Sequence, residues 1–196
     1  MSPGPAKSFD TESALEQARD LFWLRGYDGT SVSELESVLG IGRKSLYDTF
    51  GSKRELYLRA LEQYTDTVIQ KICRGLEEPR YGPLQNLERV LGRLQKHHAC
   101  SGTRGCLLGV AMAQAGPHDA ELAELLRGYL HRLEQAFEHT IRSAQSEGTI
   151  DRDARSKDVA RNLVALTQGM ALMGRITETA TLPRAIVRAA LHALRS

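Results

Sequence analysis

The sequence predicts an all-α protein in which a domain of short helices precedes a larger domain of long ones. Three observations carry this. The six prolines stand at 3, 5, 79, 83, 117 and 183, and the segments between them carry apolar residues at helical spacing with no sustained strand-like alternation. Aromatic residues are only 6% of the 196, too few for a β-sandwich or barrel core. Five of the 17 glycines fall within residues 26–51, where they frame two short apolar segments. About nine helices are expected, with 1–9 a disordered tail, 10–56 a first domain and 57–196 a second.

The elements follow in order. Ala14, Ala18, Leu21 and Phe22 form one apolar stripe of a helix over 10–25, which Gly26 ends. Ser31 and Glu34 are spaced as a capping box, so a short helix starts there and stops at Gly40. A second short helix runs from Arg43 to Gly51, and the pair with its glycine turn is a helix-turn-helix. Ser52 and Glu55 repeat the capping box and open a helix over 52–76. Beyond Pro83, Leu84, Leu87, Leu91 and Leu94 give another stripe. The segment 106–115 is apolar nearly all round and should be a buried helix. Long amphipathic helices are expected over 119–147 and 156–176, and Pro183 should open the last one.

Charge and composition narrow the function. Twenty-six basic residues against 24 acidic ones give +2, so no polybasic coat exists and any nucleic-acid contact must be local. The longest charge-free stretches, around 106–117 and 162–174, are too short for a membrane span. Three cysteines cannot pair completely, and the N-terminal residues lack the apolar run of a signal peptide. These features read as a reduced, cytoplasmic protein.

In a helix-turn-helix the second helix lies in the major groove. Leu46 and Phe50, four apart, should face the core, leaving Arg43, Lys44, Ser45, Tyr47, Asp48 and Thr49 for the DNA. Arg43 or Lys44 suits guanine O6 and N7, the hydroxyls of Tyr47 and Thr49 suit phosphates, and Lys53 at the next helix start suits another phosphate. Thr30 and Ser31, before the first short helix, complete the expected DNA-binding set. Residues 1–56 hold seven basic and nine acidic side chains, a net of −2, which weighs against DNA. The window 43–54 holds four basic and one acidic, a net of +3, and contact depends on the local field.

Ala18, Leu21-Phe22, Gly26-Tyr27, Thr30-Ser31-Val32, Gly40-Ile41, Leu46-Tyr47, Phe50 and Ser52-Lys53 with Leu56 form a gap-free pattern of about 45 residues. The pattern resembles the N-terminal domain of the tetracycline-repressor (TetR/AcrR-like) family. Glu36, Gly42 and Lys44 depart from it, standing where alanine, serine and glycine are usual. The resemblance implies a homodimeric bacterial transcriptional regulator, nucleoid-associated. It also implies a repressor that binds a palindromic operator on double-stranded DNA and is released by a small-molecule effector in the C-terminal domain.

Gly105-Cys106-Leu107-Leu108 is similar to a stretch found in a subgroup of that family. A thiol at a helix N-terminus near Arg104 should be enriched in thiolate, the form that oxidants and electrophiles attack, with Cys100 as a possible resolving thiol. A small buried hydrophobe is the plainer role for Cys106. The effector cavity is expected among Tyr64, Val68, Leu91, Leu94, Leu107, Val110, Gln114 and Tyr129, with Met112 and Gln168 near. Dimerisation is expected through 119–147 and 156–176, using Leu133, Phe137, Leu163, Leu166, Met170 and Met173. No cofactor or metal is expected, since His97, His98, Cys100 and Cys106 match no zinc spacing. An enzyme with Cys106 as nucleophile and a histidine base, or a helical interaction module, are the competing readings; no phosphate loop, nucleophile elbow or HExxH supports the enzyme.

Overall fold

Nine helices and no strand make up the described residues of the computed structural model, which are 9–99, 104–116, 119–177 and 179–195. Of the expected tail only Phe9 lies among them. The helices are α1 (Thr11–Arg25), α2 (Val32–Leu39), α3 (Arg43–Phe50), α4 (Lys53–Leu76), α5 (Pro83–His98), α6 (Leu107–Gln114), α7 (Ala120–Ser146), α8 (Ser156–Met173) and α9 (Thr181–Ala193). Contacts divide the chain into two units, the first ending at Tyr64 and the second beginning at Thr65, inside α4.

The first unit closes on a small core. Ala14, Ala18 and Phe22 of α1 meet Leu35 of α2, Leu46 and Phe50 of α3, and Leu56, Tyr57, Ala60 and Leu61 of α4, all buried. Full burial of each such leucine or phenylalanine contributes about 1.5–3 kcal/mol. The ring of Tyr57 stands edge-on to Phe22 at 5.0 Å, which ties the start of α4 to α1.

Local chemistry sets its helix ends. The Asp10 carboxylate caps α1 by accepting from the Glu12 amide at 3.0 Å. Ser31 and Glu34 form the full capping box of α2, and Gly40 ends that helix in the left-handed conformation at φ 65°.

In the second unit α7 packs along α8, and α5 lies against α7, α8 and α9. Leu87, Leu91, Leu107, Leu108, Leu133, Phe137, Ile141 and Met170 are its most buried large side chains. Asn86, itself buried, ends α4: its Nδ2 donates to the carbonyls of Leu76 and Glu78, each at 3.0 Å. α8 stops at Met173, three residues short of the expected end. A side chain at Gly174 would lie 2.4 Å from the His98 carbonyl oxygen, so the close approach of α5 requires glycine at this helix end. α9 begins at Thr181, two residues before Pro183. First-turn amides have no helical partner, so proline at the third position removes no bond.

Candidate nucleic-acid interface

α3 presents one face to the core and the other to solvent. Leu46 and Phe50 are buried, Arg43, Lys44, Ser45, Tyr47 and Asp48 are exposed, and Thr49 is half-buried. Its N-cap is Gly42, which contributes no side-chain hydrogen bond, so no oxygen of its own occupies the first-turn amides. Two of the departures from the family pattern turn out to be ion-paired. Lys44 Nζ meets Asp48 Oδ2 at 2.6 Å, a hydrogen bond and charge pair that hold the lysine above its usual pKa. Arg43 Nε lies 3.7 Å from Glu36 on α2. Both basic side chains offered to DNA therefore have an exchangeable surface partner, and a phosphate or base edge would replace it at small cost.

The Ser31 hydroxyl serves the capping box, and hydrogen bonds from the Ser31 backbone and side chain, with Arg25 nearby, lower the Glu34 pKa. Thr30 is displaced from the expected contact set. It is 0% exposed, and its hydroxyl donates to the Gly26 carbonyl at 2.7 Å. That bond closes the turn between α1 and α2, so Thr30 shapes the interface from behind and touches nothing outside.

Beside the expected Lys53, the structure brings Tyr27, Arg54 and Arg59 to the site, none of which local spacing singled out as a contact. Lys53 Nζ sits 4.2 Å from the centroid of Tyr27, and the Arg54 guanidinium 5.7 Å from it, so one aromatic ring steadies two cations at the start of α4. Arg59 donates to the Thr49 carbonyl at 3.3 Å, which fastens the end of α3 to α4. These contacts join different elements, and sequence spacing carries no signal for them.

Of the expected effector residues, Leu91, Leu107, Val110 and Tyr129 are buried, Val68 and Leu94 half-buried, and Gln114 exposed at the end of α6. Tyr64 falls in the first unit, its ring edge-on to Trp23 at 4.9 Å. The Tyr129 hydroxyl accepts from Gln168 Nε2 at 2.9 Å, while the buried Gln168 Oε1 has no hydrogen-bond partner. A cleft of about 320 Å³ opens between α4 and α7, with Cys73, Glu77, Arg132 and His139 on its walls and none of the expected effector residues. Burial, with Glu77 beside it, pushes the Cys73 thiol up.

Cys106 is the N-cap of α6 and 7% exposed. Gly105 before it has φ 73°, and a side chain there would come within 2.6 Å of the Ala171 carbonyl oxygen. The turn that delivers the thiol is thus wedged against α8. Cys100 lies outside the described residues. Among those residues no group of three or more His, Cys, Asp and Glu stands together as a metal site, and no helix is long and apolar enough to cross a membrane.

The expected dimer stripe is largely internal. Leu133, Phe137, Leu163 and Met170 are covered by the chain itself, because the apolar faces of α7 and α8 pack on each other. Leu166 is half-buried and Met173 exposed. The exposed large apolar side chains of this unit are Leu172, Met173, Ile176, which is 85% exposed, and Leu182.

Comparison with known proteins accords with this geometry. Residues 14–60 match the model of the bacterial regulatory proteins of the tetR family, and residues 83–190 match the tetracyclin repressor-like C-terminal domain. An uncharacterized HTH-type transcriptional regulator of Bacillus subtilis, YezE, is 33% identical over 150 residues, 76% of each chain. The HTH-type transcriptional repressor BdcR of Escherichia coli is 32% identical over 67% of this chain and 66% of its own. Among solved structures, a cysteine mutant of the TetR family regulator CifR, complexed with 26 bp operator DNA, shares the fold. Its TM-score is 0.86 at 24% identity, covering 97% of this chain and all of that one. The reduced form of E. coli NemR aligns with a TM-score of 0.83 at 17% identity, over 91% of this chain and 93% of its own. By both domain matches, by its relatives and by its helix-turn-helix, the chain belongs to the TetR family of bacterial DNA-binding transcriptional regulators.

Proposed function

We propose that the protein is a dimeric repressor that sits on a palindromic operator and is released by an effector acting on its C-terminal unit. The observation that carries the reading is the solvent face of α3, where Arg43, Lys44, Ser45, Tyr47 and Asp48 are exposed while Leu46 and Phe50 are buried. That face suits the major groove. The BdcR relative is a named repressor, which supports this direction of regulation, and the CifR structure holds operator DNA, which supports duplex DNA as the partner. A second copy would cover the exposed Leu172, Met173, Ile176 and Leu182 at the end of α8 and the start of α9.

Two forms of release are open to the same site. A small molecule would bind among the helices of the second unit. Modification of Cys106 would insert bulk at the tight turn before α6, and the cysteine substitutions in CifR and the reduced state of NemR support that form. Either would act through α4, which begins in the first unit and ends in the second. Release then measures the difference in effector affinity between the DNA-bound and free states.

The test is a mobility shift with the DNA upstream of the protein's own gene, at two salt concentrations. A saturable, sequence-specific shift that weakens steeply with salt is expected. No shift, together with no motif enriched from random DNA, would overturn the reading. For release by thiol modification, mild peroxide or an aldehyde should abolish the wild-type shift and spare that of Cys106→Ser.

A further inference from the structure

We propose that the groove between α5 and α9 binds a small organic anion, a carboxylate or phosphate head on an apolar body. The groove encloses about 390 Å³. Arg184 and Arg188 stand on its α9 wall, Gln95 on its α5 wall, and Val187 and Leu191 line it with apolar surface. His192 and Arg195 continue the basic row, and Arg195 is ion-paired to Glu88.

The charge of this groove is what calls for a ligand. Residues 181–195 hold three arginines and a histidine and no acidic residue, in a chain whose total charge is nearly balanced. Among the described residues Arg184 and Arg188 pair with no carboxylate, and Glu88 is occupied by Arg195. The two arginines are four apart on one helix face, where like charges repel. Helix electrostatics accounts for the basic residues toward the C-terminal end of α9, where cations are favoured. It does not account for Arg184. That residue stands just inside the N-terminus, where the helix field opposes a cation, and the first turn holds no acidic side chain to offset it.

An anion resolves this arrangement. Two guanidinium groups one turn apart can close on one carboxylate or phosphate, each through paired N–H donors. The Gln95 amide supplies a further donor from the opposite wall. A short alkyl or aryl body attached to the anion would lie on Val187 and Leu191, so the groove selects an amphipathic anion over a bare one.

Titration calorimetry of the full-length protein with octanoate, octyl phosphate, octanamide and inorganic phosphate tests this. Saturable binding of octanoate or octyl phosphate is expected, and comparison of the two identifies the preferred head group. Octanamide, lacking the charge, and inorganic phosphate, lacking the body, should each bind about tenfold more weakly or not at all. The double variant Arg184→Gln, Arg188→Gln keeps two good helix formers at exposed positions and should weaken binding about tenfold or more. No saturable binding of either charged octyl probe would overturn the proposal. So would binding that the double variant retains, octanamide binding as well as octanoate, or inorganic phosphate binding as well as octyl phosphate.

Discussion

At the scale of single residues, three side chains separate a DNA contact from a structural one. Arg43 is exposed with only a loose partner, so Arg43→Ala should reduce the slope of log affinity against log salt by about two for a dimer, about one for each protomer, while leaving the melting temperature almost unchanged. Asp48 holds Lys44 in a surface pair, so Asp48→Asn should free the lysine and steepen the same slope for non-specific DNA. Thr30 behaves oppositely. Thr30→Val leaves the Gly26 carbonyl without its buried donor and should cost about 1–3 kcal/mol of stability with no change in salt slope. Denaturant melts beside binding isotherms at several salt concentrations read both quantities. The sequence placed Arg43, Lys44 and Tyr47 outward because Leu46 and Phe50 fix the helix phase. It misplaced Thr30 because nothing local tells a hydroxyl turned in to a carbonyl from one turned out to a phosphate.

His98 gives stability its own pH dependence. Burial, and then the charge of His97 beside it, lower its pKa to about 4, against about 6.5 in an unfolded chain. The unfolded state therefore binds the proton first. The contribution from neutral His98 is complete above about pH 6.5, falls as pH drops toward 4, and changes no further below that. The full shift corresponds to about 3 kcal/mol, and residual solvent screening at the helix end brings the expected effect nearer 2. His98→Gln should flatten the melting temperature between pH 6.5 and 4 relative to wild type. An unchanged profile would remove His98 from the account.

At the scale of elements, what the sequence disclosed was local and what it hid was tertiary. The capping box at Ser31, the Ser52 hydroxyl that accepts from the Glu55 amide, and the glycines at 26, 40 and 51 mark helix ends through bonds made within a few residues, so spacing alone revealed them. The need for glycine at 174 comes from the His98 carbonyl of α5, which is remote in the chain and leaves no local signal. The Asn86 bridge likewise depends on the chain returning to the end of α4. Asn86→Ala removes the side-chain donor to two carbonyls and should cost about 2–3 kcal/mol, read by denaturant unfolding, because those groups lose their partner inside the protein. The apolar faces of α7 and α8 show what periodicity leaves open about the interface. A helical stripe is the same whether it faces a neighbour within the chain or one in a second copy, and only the observed packing distinguishes them.

For the whole molecule the decisive quantity is the number of copies on the DNA. Phe137 and Ile176 make opposite tests of where the second copy docks. Phe137 is buried within the chain, so Phe137→Ala should cost about 3–5 kcal/mol through the cavity it leaves. Leu172 and Ile176 are exposed, so replacing both with glutamate places charge on an interface without opening the core. That double variant should keep its helical circular dichroism yet run as a monomer in light scattering at micromolar concentration, where the wild type should run as a dimer. A lone protomer reaches one half-site, so its phosphate contacts, and with them the salt slope on a palindrome, should fall to about half. If the variant stays dimeric, the second copy docks on another face, and the apolar end of α8 needs a different occupant. If the wild type is itself a monomer, no pair of recognition helices spans a palindrome, and the regulator would have to read a single half-site.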